Sequence, residues 1–419
     1  MTRLVNDCFS NPSEMITVQQ ARKLIADATV PITRTETIEL YDANNRILAQ
    51  DIYSTLNVPP ANNSAVDGYA FCFADHLKNP AATFEISGRS AAGQPFEGIL
   101  SSGQCVKIFT GAVMPEECDT IAMIEDTKLS GDTVLLPRGL KEGANCRLAG
   151  EDIEKGSLLL AKGTYLRPQE LGFLASIGIK EVPVSKKLKV ALFSTGDELI
   201  EPGEVLQPGG IYDSNRVILG SLLQGYGCEV HDCGIVPDEF ETLKEVLEKA
   251  ADDADLIITS GGVSMGDEDH VKAAVEVAGH LHFWRIAIKP GRPLAVGQVA
   301  NTAFVGLPGN PVAALVCAMQ FVRPLIASLT GDISFDLPSP ITGAAQFSMK
   351  KKQGRREWSR GKYSIDRTGK PIVEKYFTDG SGIVSSLIWA NGLIELAEDI
   401  VEVKEGDPVT ILPFTELFR

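Results

Sequence analysis

The chain has 419 residues, 44% apolar and 22% charged, which is a globular composition spread over too much length for a single ordinary core. Its 39 basic and 55 acidic residues leave a net charge of −16, which argues against broad binding to nucleic acid or to an anionic membrane surface. With no apolar run near the roughly 18 residues of a membrane span, a polar Met1–Ser13 without a signal-like core, and eight scattered cysteines lacking any Cys-x-x-Cys pair, a cytoplasmic protein with reduced thiols is expected.

In chain order, Thr17–Asp27 predicts a helix: Thr17 and Gln20 make a capping box, and Val18, Ala21 and Ile25 share one face. Residues 59–145 alternate short strand-like runs with Gly and Pro punctuation, as in Thr83–Gly88, Cys105–Thr110 and Thr133–Pro137, and read as a small, mainly β module. Arg167-Pro168 opens a helix through Ile177. From residue 187 to 331, strand candidates at Lys189–Ser194, Glu229–Val236, Leu256–Ser260 and Phe283–Ile288 alternate with helical patterns. These lie at Arg216–Tyr226, Phe240–Ala251, Val271–Ala278 and Val312–Leu329. Such alternation predicts a mostly parallel sheet with helices on both faces. Asp238 and Glu241 form a second capping box, and Asn310-Pro311 reads as a helix start. After the linker Asp336-Leu-Pro-Ser-Pro340, short strands return and fit a β-barrel or sandwich.

Four loops carry the chemistry: Ser194-Thr-Gly-Asp-Glu198, Tyr212-Asp-Ser-Asn215, Ser260-Gly-Gly-Val-Ser-Met-Gly-Asp267 and Leu307-Pro-Gly-Asn-Pro311. In open α/β sheets, loops beyond the strands' carboxyl ends bind ligands. Glycines at 196, 261, 262 and 266 let backbone N–H groups approach a phosphorylated ligand. Asp197, Glu198, Asp213, Asp267 and Asp269 put several carboxylates in the same loops, an arrangement that a cation would relieve. Asp213 and Asp267 are the candidate Mg²⁺ ligands, Asp213 having the alternative reading of a helix cap, and Glu198 is the candidate for acid/base work. Arg285, Lys289 and Arg292 flank a loop stiffened by Pro290, Gly291 and Pro293, suited to a tetrahedral oxyanion. In Lys350-Lys-Lys-Gln-Gly-Arg-Arg356, Arg355 is the candidate anion contact and the lysines read as a solvated turn. Asp67 in Asn63-Ser-Ala-Val-Asp-Gly-Tyr-Ala70 and Thr110 in Phe109-Thr-Gly-Ala112 read equally well as plain turns.

Taken together, these strings resemble the MoeA family, the molybdopterin molybdenumtransferases related to the gephyrin E-domain. They occur in the family's order across nearly the whole chain: Ser64-Ala-Val-Asp-Gly-Tyr-Ala-Phe71, Phe109-Thr-Gly-Ala-Val-Met-Pro115, Gly150-Glu-Asp-Ile153, Ser194-Thr-Gly-Asp-Glu-Leu199, Tyr212-Asp-Ser-Asn215, Ser260–Asp267, Ile288-Lys-Pro-Gly-Arg-Pro293 and Leu307-Pro-Gly-Asn-Pro-Val312. The resemblance implies a multidomain α/β protein with mainly β modules. Residues 1–58 and 146–186 would form a discontinuous first domain, 59–145 an inserted mainly β domain, 187–331 a MogA-like three-layer α/β/α domain that binds molybdopterin, and 332–419 a small β-barrel.

The resemblance also implies the reaction. Adenylylated molybdopterin and molybdate are the substrates, Mg²⁺ assists, AMP is released, and the product is molybdenum cofactor. A homodimer would share each cleft between subunits, and a MogA-like adenylyltransferase is a possible partner. The catalytic positions would be Asp67, Thr110, Glu198 and Asp267. Substrate would meet Arg147, Asp152, Ser194, Gly196, Asp197, Gly261, Gly262, Ser264, Pro308 and Asn310. Molybdate would meet Arg285, Lys289, Arg292, Pro293, Arg355 and Ser386. The chain departs from the family pattern where Arg147 is followed by Leu148 and Ala149 rather than a further arginine, where Trp389 stands at a commonly basic position, and where Arg285 and Arg292 replace lysines. Two other readings compete: adenylyl transfer to molybdopterin, and a gephyrin-like scaffold without catalysis.

Overall fold

The computed structural model describes residues 15–262, 270–291 and 293–418, with the backbone alone at 282–285 and 293. Helix α1 (Val18–Ala28) starts where its capping box predicts: the Gln20 N–H donates to Thr17 Oγ1 (3.2 Å) and the Thr17 N–H to Gln20 Oε1 (2.8 Å). Its buried face, Val18, Ala21, Ile25 and Ala28, packs into the same core as Phe321 and Leu325, far along the chain. Arg22 extends the tie by donating to the side chain and carbonyl of Gln320.

The inserted module is a six-stranded sheet built from β1 (Gly68–Phe71), β2 (Thr83–Ser90), β3 (Gln104–Ile108), β4 (Thr120–Met123), β5 (Lys128–Ser130) and β6 (Thr133–Leu135), in the order β4-β1-β3-β2-β6-β5. Chain on either side of it pairs directly, Thr35–Glu39 running antiparallel to Glu181–Ser185. Helix α2 (Pro168–Ser176) follows the module, with Pro168 in its first turn and Glu170 accepting the Arg167 N–H.

The second sheet comprises β7 (Lys189–Thr195), β8 (Glu229–Val236), β9 (Leu256–Ser260), β10 (Gly279–Arg285), β12 (Pro293–Val299) and β13 (Thr302–Leu307), β11 (Ile288–Lys289) being a two-residue strand outside it. Its order is β8-β7-β9-β13-β12-β10. The first four strands are parallel and the last two antiparallel, so the mostly parallel expectation holds for one side of the sheet only. Along β7, Val190 and Leu192 face one core while Ala191 and Phe193 face the other, the period of two that a strand covered on both faces requires. Helices α3 (Asn215–Gly225), α6 (Pro311–Cys317) and α7 (Arg323–Thr330) cover the first face, and α4 (Phe240–Asp253) and α5 (His270–Ala278) the second. Residues Ala318–Val322 join α6 to α7 as a π-helical turn. The combined Pro311–Thr330 run is long and apolar enough to cross a membrane, but 83% of its most apolar stretch is buried inside the protein, as in a core helix.

The C-terminal module closes on itself. Strands β14 (Ile341–Ala345), β15 (Arg356–Ile365), β16 (Pro371–Lys375), β17 (Gly392–Leu396) and β18 (Pro408–Pro413) run in the order β15-β16-β14-β18-β17, and β17 pairs back to β15. This is the small barrel expected, filled by Ala345, Val373, Ile394, Leu396 and Ile411. Strand β11 adds to its outside in parallel, pairing Ile288 with Arg356 and Lys289 with Glu357, so the basic loop of the α/β sheet is stitched to the barrel.

Candidate active site

Strands β7, β9 and β13 end in register, Ser194 opposite Ser260 and Ser260 opposite Leu307, so their following loops converge at one sheet edge. They wall an open cleft of about 950 Å³ with Thr195, Gly196 and Glu198 from the first loop, Gly261 and Gly262 from the second, and Pro308, Gly309 and Asn310 from the third. Ser381 and Gly382, from the barrel module, close one side. Only glycine fits the second loop: a Cβ on Gly261 (φ +93°) would lie 2.3 Å from the Thr195 carbonyl oxygen, and one on Gly262 (φ +62°) 2.4 Å from Val271 Cγ2.

Asn215 locks the floor of this cleft. Its Nδ2 donates to Ser260 Oγ and to the Gly309 carbonyl, both at 2.7 Å, joining the loops after β9 and β13. Asn310 precedes α6 as its N-cap residue with Pro311 in the first turn, as the sequence predicts, yet its side chain makes no capping hydrogen bond.

The acids divide into two places. Asp213 is buried, and its Oδ1 accepts the N–H groups of Asn215 (3.0 Å) and Arg216 (3.1 Å), which bears out its helix-cap reading. Its Oδ2 has no hydrogen-bond partner and lies 3.7 Å from Arg216 Nη1. Arg216 also binds Glu201 and reaches Asp232 at 2.9 Å, so one guanidinium gathers three carboxylates. Asp238 is the residue that sequence reasoning misplaced. Helix α4 instead takes Glu239 as its N-cap residue, without a side-chain capping hydrogen bond, and the expected capping box with Glu241 does not form. Asp238 lines the cleft, its Oδ1 buried and without a partner. Burial pushes its carboxyl above the usual range; His270 opposes that, while Asp197 and Glu198 push it further up. The signal available in the sequence was Pro237-Asp238 directly after a strand, the same arrangement as the other cleft loops.

The cations lie where β11 meets the barrel. Lys289 Nζ is 3.4 Å from Glu357 Oε2 and 3.0 Å from Asp379 Oδ2, and Arg355 Nε is 3.1 Å from Glu357 Oε1. Burial raises the Asp379 carboxyl, but the ammonium groups of Lys375 and Lys289 outweigh it and hold the group below the usual carboxylate range. The Lys289–Pro290 peptide is cis. Gly291, two residues on, lines the cleft.

Two serines expected to touch ligand are not among the described residues lining the cleft. Ser194 is fully buried beneath the floor, and Thr195 takes its place on the wall, because successive strand residues point to opposite faces. Ser386 is also fully buried; its hydroxyl donates to the Ile383 carbonyl (2.6 Å) and accepts from Arg360 Nε (3.0 Å), leaving it to shape the loop rather than contact an anion. Asp197 is exposed and outside the cleft lining, although its charge is felt at Asp238. Ser264, Asp267, Asp269 and Arg292 lie outside the described residues, as do the side chains of Arg285 and Pro293.

Asp67, Thr110, Arg147 and Asp152 are on the inserted module and its edge, all exposed, and none is among the described residues lining this cleft. Asp67 Oδ1 accepts both the N–H (2.8 Å) and the hydroxyl (2.7 Å) of Thr110. These two bonds hold the Asp67 carboxyl below its ordinary range, helped by the charge of Lys107.

Known proteins share this domain order and overall fold. Family models match end to end: the MoeA N-terminal region (domain I and II) over residues 16–178, a probable molybdopterin binding domain over 191–328, and the MoeA C-terminal region (domain IV) over 342–414. A protein named molybdopterin molybdenumtransferase from Haemophilus influenzae is 42% identical over 96% of this chain and 100% of its own length. Molybdopterin molybdenumtransferase 2 from Mycobacterium tuberculosis is 33% identical over the same shares. The solved structure of a molybdopterin biosynthesis MoeA protein from Pyrococcus horikoshii OT3 is similar with a TM-score of 0.83 and 30% identity, covering 95% of this chain and 99% of that one. With sequence likeness, domain order and whole-chain shape in agreement, the chain belongs to the MoeA family.

Proposed function

We propose that the chain is a molybdopterin molybdenumtransferase that takes adenylylated molybdopterin and molybdate, places molybdenum on the dithiolene sulfurs and releases AMP. The observation that carries this reading is the polarity of one region: a glycine-walled cleft with orphaned acid oxygens adjoins a fixed pair of cations, Lys289 and Arg355.

Each part has work to do. Backbone N–H groups near Gly261 and Gly262, and the start of the Pro311–Thr330 helical run, favour an anionic group in the cleft. Lys289 and Arg355 would hold molybdate, exchanging part of their contact with Glu357 and Asp379 for its oxygens. Glu198, which lines the same cleft as Asp238, would move a proton at the reacting centre. What supports a hard divalent cation is that Asp213 Oδ2, 3.7 Å from Arg216 Nη1, and Asp238 Oδ1 are buried carboxylate oxygens without hydrogen-bond partners on one cleft. No group of three or more candidate ligands occurs among the described residues, so Mg²⁺, held by Asp213, Asp238 and Asp267, would fill its remaining positions with phosphate and water oxygens. When bound it would neutralise the phosphate charge as the anhydride bond breaks.

The reading takes two copies to complete a cleft. Asp67, Thr110, Arg147 and Asp152 would reach it from a partner subunit, in a soluble cytoplasmic homodimer supplied by a MogA-like adenylyltransferase.

The test is AMP release from adenylylated molybdopterin by purified protein, with and without molybdate. Release only with molybdate is expected. Formation of adenylylated molybdopterin from ATP and molybdopterin would instead make the chain an adenylyltransferase. Absence of both reactions in a folded protein would favour a scaffold.

A further inference from the structure

The inserted module holds two cations that make no ion pair with a described carboxylate, although the charge of Lys107 is felt at Asp67. Arg89 on β2 and Lys107 on β3 stand directly opposite one another in a parallel pairing. Like charges in that relation repel. Both are also drawn to one ring: the Arg89 guanidinium carbon lies 4.8 Å, and the Lys107 ammonium 5.6 Å, from the centroid of Phe109. The ring offsets part of the repulsion and fixes where the charges point. Neither residue makes an ion pair with any described residue, in a chain whose net charge is −16. Phe109 is itself pinned, its N–H donating to the Ser90 carbonyl (3.2 Å), while Ser90 Oγ donates to the Val113 carbonyl (2.8 Å). Thr110, the next residue, has its N–H and hydroxyl committed to Asp67.

We propose that Arg89 and Lys107, ordered by Phe109, form an oxyanion subsite for a phosphate group beside the Asp67–Thr110 pair. An arginine fork next to a lysine point charge is suited to phosphate oxygens, the first giving direction and the second charge. A bound phosphate would supply the close counter-charge that no ion pair among the described residues gives Arg89 and Lys107. Assigning that phosphate to the adenylyl end of the substrate rests on the proposed function and on a partner subunit's module meeting the cleft. The subsite itself rests on neither.

The experiment measures the thermal midpoint of the full chain with inorganic phosphate against chloride at matched ionic strength, and with AMP against adenosine. It compares the unmodified protein with Arg89→Gln, Lys107→Gln and the double variant, each also in a Lys289→Ala background so that phosphate captured at the other cationic pole does not count. The subsite predicts that phosphate and AMP raise the midpoint, that adenosine does not, that each single variant loses at least half of the shift, and that the double variant loses it. It also predicts that the variants are no less stable than the parent in chloride, since a repulsion has been removed. An equal phosphate shift in parent and double variant, no shift in any of them, or variants several degrees less stable in chloride would each overturn it. No molybdenum transfer is read, so failure of the enzymatic reading and failure of the subsite are separate results.

Discussion

Lys289 and Arg355 hold opposite oxygens of one buried carboxylate: Lys289 Nζ is 3.4 Å from Glu357 Oε2 and Arg355 Nε is 3.1 Å from Glu357 Oε1. Two cations 66 positions apart in the chain are thereby kept at a fixed spacing before any anion arrives. Strand β11 makes this possible by pairing Lys289 with Glu357 on the barrel.

Lys289→Ala should therefore affect anion use more than folding. Losing one charge-assisted contact to molybdate corresponds to about a 10- to 100-fold rise in the molybdate concentration needed for half-maximal AMP release. Stability should fall by less than about 1 kcal/mol in denaturant unfolding, because the lysine is partly solvated. An unchanged molybdate requirement would remove Lys289 from the site.

Arg216 should behave in the opposite way. It neutralises Asp213, Glu201 and Asp232, and Asp213 is buried. Arg216→Ala leaves a buried carboxylate without its cation and should cost on the order of 3 to 5 kcal/mol. Arg216→Lys should recover only part of that, since a single ammonium cannot span three acids. Chemical denaturation of both variants checks the ranking.

Asp67 and Thr110 predict a pH signature. Hydrogen bonds from Thr110 hold the Asp67 carboxyl below its ordinary value. A depressed carboxyl stabilises the fold above the ordinary carboxylate range and loses that contribution as pH falls through its own lower value. NMR titration should find Asp67 titrating below typical aspartates in the parent and returning towards them in Thr110→Val, where the hydroxyl donor is gone. An Asp67 titration unaffected by that change would contradict the geometry.

Much of this was legible in the sequence, and the failures have physical causes. The strand–glycine–helix order around Ser194, Ser260 and Leu307 identified the sheet edge, because buried strands and glycine turns leave local marks. The hairpin of β12 and β13 left none: it turns through Ala300, with φ +49°, and Asn301, and has no glycine there. Ser194 and Ser386 have the right type and position for contacts, but which way a hydroxyl points at a strand or loop end depends on packing. Asp238 looked like a cap because Asp three residues before Glu is a capping signal. Desolvation in the folded cleft gives it another environment. That α1 packs with α7 follows from tertiary burial of a face, whose existence the periodicity revealed without naming its neighbour.

Asp238 yields a stability prediction of unusual sign. Its carboxyl is raised mainly by burial, so the folded state favours the protonated form, and stability is lost as pH rises from the ordinary carboxylate range through that raised value. Without Mg²⁺ at neutral pH, Asp238→Asn should melt higher than the parent, by on the order of a few degrees. The difference should vanish at acid pH, while turnover falls. A variant that melts lower at neutral pH would mean that Asp238 is satisfied in the fold.

The most direct test of the site is anomalous diffraction at the molybdenum edge from crystals grown with molybdate. The account predicts a molybdenum peak within hydrogen-bonding range of Lys289 and Arg355, facing the cleft walled by Gly261 and Asn310, and no such peak in Lys289→Ala crystals. Molybdenum bound elsewhere, with Lys289 and Arg355 still closed on Glu357, would contradict it.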